Sequence, residues 1–99
     1  MASVRSLKKD IDFLMSMVLQ DCISVMENYP ETDKEKVTEM ARKVISDHRQ
    51  LRLKVCHREI RNHKENPGKY LSDVVEEMYA LAGESLDQLA SFVKKESEQ

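Results

Sequence analysis

The chain has 99 residues, of which 34% are charged and 40% apolar, with a formal net charge of −2, two glycines, two prolines and no tryptophan. That length fits one domain with a modest core, and the mixture excludes a disordered or fibrous chain. With only three tyrosines and two phenylalanines, the core must be aliphatic, its irregular gaps filled by six methionines.

Apolar residues recur at helical spacing in three runs, Ser6–Asn28, Asp33–Lys64 and Tyr70–Lys95, and Pro30 and Pro67 fall between them. The spacing predicts three helices. In the first, Val4, Leu7, Ile11, Leu14, Val18, Cys22, Val25 and Tyr29 follow in steps of three or four and share a face, widened by Met15 and Met26. Tyr29 precedes Pro30, which biases it out of the helical region and ends the helix.

The second run opens on Thr32-Asp33-Lys34-Glu35, the pattern of a capping box with Thr32 as the cap. One stripe is Val37, Met40, Ala41, Val44, His48, Leu51 and Val55; another is Ile45, Leu53, Cys56 and Ile60. Two stripes suit a middle helix that touches neighbours on two sides. Read as continuous, it would be ~48 Å long, broken at Asn66-Pro67-Gly68.

The third run is the most regular. Leu71, Val74, Val75, Met78, Leu81, Ala82, Leu86, Leu89, Phe92 and Val93 form one face, and Asp73, Glu76, Glu77, Glu84 and Asp87 lie opposite. Ser72 is a candidate N-cap, and Lys94-Lys95 suit the negative end of the helix dipole. Gly83 is either a point of close helix approach or simply tolerated. Short connections make consecutive helices antiparallel. The expected fold is therefore all-α: a single up-down-up three-helix bundle over residues 1–99, with a long middle helix.

Charge is uneven along the chain. Residues 1–41 carry five Lys/Arg against eight Asp/Glu, residues 42–69 nine against three, and residues 70–99 two against seven. A basic middle helix between acidic neighbours implies complementarity within the bundle, with a binding surface as the alternative. Lys54, Arg58, Arg61 and Lys64 form the candidate basic patch. It lacks interleaved aromatics for stacking on bases, so nucleic-acid binding is the alternative and an acidic protein partner the leading expectation.

Chemical motifs are sparse. Cys22 and Cys56 form no C-x-x-C pair, and free thiols fit a reducing cytoplasm. The start of the chain has no signal-peptide pattern, and no apolar run approaches membrane-spanning length. His48, His57 and His63 are not spaced as metal ligands of a helical bundle, and two glycines preclude a glycine-rich phosphate loop. No cofactor, metal or catalytic residue is expected.

Leu7-Lys8-Lys9-Asp10-Ile11, Leu14, Asp21-Cys22, Pro30, Asp33, Val37, Arg49 and Leu51 together resemble uncharacterised small all-helical bacterial proteins. That resemblance implies a helical bundle and no particular activity. Ile11-Asp12 and the stretch from Asp47 to Gln50 also look like features of helical chorismate mutases, which are all-α dimers of similar length. The likeness implies inward Arg and Lys side chains around a dianion, yet the first helix has only Arg5, Lys8 and Lys9 near its start. Asp21-Cys22 stands where such an enzyme has a second arginine.

Once the core is assigned, Phe13, Met17, Leu19 and Ile23 remain on the first helix as apolar surplus. They are the candidate interface, and a two-fold homodimer is the expected state. The expectation is a non-enzymatic interaction or regulatory protein.

Overall fold

The computed structural model describes residues 4–97, with side chains described over residues 4–93. Every regular element among them is helical: α1 Val4–Asn28, α2 Lys34–Lys54, α3 His57–Asn62 and α4 Pro67–Ser97. The three long helices each touch the other two, and α3 touches α2 and α4. The molecule is elongated, 54 × 18 × 17 Å with a radius of gyration of 15.8 Å. A compact chain of this length would have a radius of about 13 Å.

The core follows the periodicity closely. Leu7, Ile11, Met15, Val18, Cys22 and Val25 are buried on α1. They meet Val37, Met40, Val44 and Leu51 of α2 and Val74, Met78, Ala82 and Leu89 of α4. Full burial of each such aliphatic side chain stabilises by roughly 1.5–3 kcal/mol. Polar contacts fix the alignment of the rods. His48 Nε2 lies 2.7 Å from Asp12 Oδ1, joining the second half of α2 to the first half of α1. Lys54 Nζ donates to Glu77 Oε1 at 2.7 Å, joining the end of α2 to the early part of α4.

The structure corrects the predicted elements in three places. The cap of α2 is Asp33, not Thr32: Asp33 Oδ1 accepts from the amides of Glu35 and Lys36 at 3.0 and 3.4 Å. Thr32 turns inward instead, and its Oγ1 is buried without a hydrogen-bond partner. Asp is the better N-cap of the two, and burial of Thr32 agrees with that choice.

The long middle helix does not exist. α2 stops at Lys54 after 21 residues, about 32 Å at 1.5 Å per residue. The amides of Val55 and Cys56 bond three residues back, to Arg52 and Leu53, both at 3.3 Å. Cys56 is extended, at φ −76° and ψ 158°, before α3 begins. The break frees the Lys54 carbonyl from its helical partner, and the Tyr70 hydroxyl donates to it at 2.7 Å. A residue 16 positions away thus occupies the acceptor that the interruption exposes.

Finally, Asn66-Pro67-Gly68 starts a helix rather than only ending one. Asn66 Oδ1 accepts from the Lys69 amide at 3.2 Å, and Pro67 holds the first helical position, where its missing N–H costs nothing. Ser72 therefore lies inside α4 and caps nothing. The side chains of Lys94 and Lys95 lie outside the described residues. A Cβ built on Gly83 would meet nothing within 4 Å, so no helix approaches closely there.

Candidate functional site: two surfaces on one rod

The outward side of α1 is unusual for so charged a chain. Between Phe13 and Ile23 the exposed positions are Phe13, Ser16, Met17, Gln20 and Ile23, and none is ionisable. Phe13 is 72% exposed, and Met17 and Ile23 are exposed by 42% and 43%. The fourth residue predicted with them, Leu19, is half-buried and packs on the core, so it borders the surface rather than standing on it. The other long helices differ. α2 exposes Ile45 and Leu53 among the charges of Arg42, Arg49 and Arg52, and α4 exposes Tyr79 among those of Asp73, Glu76, Glu84 and Asp87.

The predicted basic patch is divided by the interruption of the middle helix. Lys54 ends α2 with its ammonium held by both Glu77 oxygens, at 2.7 and 2.5 Å. Its charge is thereby neutralised within the subunit. Arg58 and Arg61 are exposed on α3, and Lys64 is exposed in the turn that follows. Three of the four predicted bases remain on the elbow, where α3 buries no residue at all. Lys43, which would have extended the row, pairs with Asp47 at 3.1 Å.

Tyr70 organises the elbow. Its hydroxyl holds the Lys54 carbonyl, and its ring stacks on His63 with centroids 3.9 Å apart and planes 7° from parallel. Burial pushes the Tyr70 pKa up from its ordinary value, reinforced by the negative charges of Glu59, Cys56 and Glu77. Sequence reading had placed Tyr70 only as the start of a helix. Its amphipathic character, an apolar ring with a polar tip, was the available signal. An open groove beside it is lined by His63, Lys64, Asn66, Lys69 and Asp73.

Both cysteines are free thiols, Cys22 buried and Cys56 half-buried. Burial also pushes the Cys22 thiol up, with the Asp21 charge adding to the effect. Among the described residues no cluster of three or more His, Cys, Asp or Glu side chains is placed to hold a metal. The bases of the first helix do not point into a cavity: Arg5 and Lys9 are exposed and Lys8 is half-buried. No described helix is long and apolar enough to cross a membrane. No protein-family model matches the chain, and neither does any curated protein or solved structure.

Proposed function

We propose that the chain works by association rather than catalysis, as a cytoplasmic helical protein that pairs with its own copy and engages an acidic partner. On this reading α1, α2 and α4 form an up-down-up bundle with α3 as an elbow, and two bundles meet through α1. The observation that carries the reading is the ten-residue step from Phe13 to Ile23 without an exposed charge. Apolar and neutral polar groups lose little on desolvation, whereas exposed ions lose much. Paired copies would also enlarge a core that is small for a single 99-residue chain.

The expected behaviour is a monomer–dimer equilibrium in sedimentation experiments. Phe13→Asp should weaken dimerisation by at least tenfold, on the order of 1.4 kcal/mol or more, because it would bury an unpaired carboxylate. A chain that stays monomeric at millimolar concentration removes the self-association reading. For the second surface, Arg58→Glu with Arg61→Glu should reduce binding of an acidic peptide at low salt. Retention of an oligonucleotide in preference to that peptide would favour a nucleic-acid partner instead.

A further inference from the structure

We propose that the two copies pair through antiparallel α1 helices related by a two-fold axis at the level of Val18, with Lys9 of each copy opposite Glu27 of the other. The proposal rests on the self-association reading above and specifies its geometry.

In an antiparallel two-fold pair, residues equally far before and after the central level come to the same height, and they face each other directly where both lie on the contact line. Around Val18 that rule sets Lys9 facing Glu27, Ser16 close to Gln20, and Phe13 diagonally across the contact line from Ile23, with Met17 and Leu19 at one level on opposite flanks. Each couple is chemically matched: polar with polar, apolar with apolar, base with acid. Asp10 shares a level with Met26, and Asp12 with Ser24, each couple lying on opposite flanks away from the contact line. No level of α1 from Lys8 to Asn28 brings like charges together.

The inward half of such a symmetry is trivial, since any amphipathic helix repeats its buried residues. The outward half is informative, because periodicity does not decide which surface residues are charged. Lys9 and Glu27 each lie nine residues from Val18, about two and a half turns. Both therefore emerge on the side directly opposite Val18, which is fully buried. Both are exposed, and neither makes an ion pair within its own subunit among the described residues. Phe13 and Ile23 flank that line on its two sides. The neutral centre supplies contact area, and the ends carry opposite charges that select the antiparallel direction.

The other faces offer no equivalent self-match. α2 exposes Ile45 and Leu53, but the register centred next to Ile45 sets Arg42 against Arg49 of the copy, and α4, centred near Tyr79, sets Asp73 against Asp87 and Glu76 against Glu84. The competing arrangement sets α2 of one copy against α4 of the other, and it leaves Phe13 in solvent.

The test is sedimentation equilibrium on the full chain and surface-charge variants, each checked for helicity by circular dichroism. Lys9→Glu should weaken dimerisation by about tenfold, since two symmetric ion pairs become two repulsions. Glu27→Lys should do the same. Lys9→Glu combined with Glu27→Lys should return affinity to within about twofold of the starting protein. A dimer broken by Phe13→Asp but not rescued by the double reversal keeps the self-association reading and overturns this arrangement. A dimer indifferent to Phe13→Asp, or a strict monomer, overturns both.

Discussion

The body of the molecule and its elbow are built by different physics. Along the body, α1, α2 and α4 interlock buried aliphatic side chains, and the sequence repeats that burial at every turn. At the elbow, Val55 is the one fully buried side chain, α3 buries nothing, and the chain is otherwise held by a few directional contacts gathered on Tyr70, Lys54, Glu77 and Asn66. Each apolar contact of the body is costly to lose, but there are many of them and they act together. A small set of hydrogen bonds has no such reserve, so the elbow should open locally while the body stays folded.

The widest gap between the two regions should come from apolar truncation. Leu51→Ala, at a fully buried position of α2, should cost about 2–5 kcal/mol in urea unfolding. Ile60→Ala on α3, half-buried, should cost less than about 1 kcal/mol. Equal losses would mean that the elbow is part of the same cooperative core. Next in size is Tyr70→Phe, which leaves the ring stack and removes the hydroxyl bond to Lys54. It should cost about 0.5–1.5 kcal/mol and speed amide exchange over residues 55–66 before that of α1. Uniform acceleration along the chain would contradict the division.

Two substitutions should strengthen the body without touching the elbow. Gly83→Ala fills open space in an α4 interior and should add up to about 1 kcal/mol. Thr32→Val removes a buried hydroxyl that finds no partner and should also raise stability, by about 1 kcal/mol. A loss at either site would show a contact that the packing does not reveal.

The smallest effect is one of pH. The folded state raises the Cys22 thiol above its ordinary value of 9.0, through burial and then Asp21. The folded chain then holds this proton more tightly than the unfolded chain does. The contribution is complete below the ordinary thiol range and is lost as pH rises through the raised value. Denaturation midpoints should therefore fall above about pH 9, and Cys22→Ala should flatten the decline. Tyr70, raised as well, reports on the elbow in the same direction at still higher pH.

Much of the body was legible because periodicity reflects burial directly. Leu7, Ile11, Val18, Cys22, Val37, Val44, Leu51, Val74, Met78 and Leu89 all lie where their spacing put them. The elbow was not legible, because nothing local marks it: residues 54–57 contain neither glycine nor proline. The bond rewarding that interruption comes from Tyr70, across a separate helix. The start of α4 was readable in principle, since Asn followed by Pro is a cap and first helical position. Exposure of Phe13, Met17 and Ile23 followed from their spacing, whereas the pairing of Lys54 with Glu77 depended on how two rods align.

A rod three times longer than it is wide carries a hydrodynamic consequence. Friction grows with axial ratio, so one subunit drifts through a porous column as though it were a rounder and heavier particle. Side-by-side pairing along α1 would thicken the rod far more than lengthen it. Mass would then double while elution volume moved comparatively little, and light scattering, which weighs particles irrespective of outline, is the measurement that tells one subunit from two.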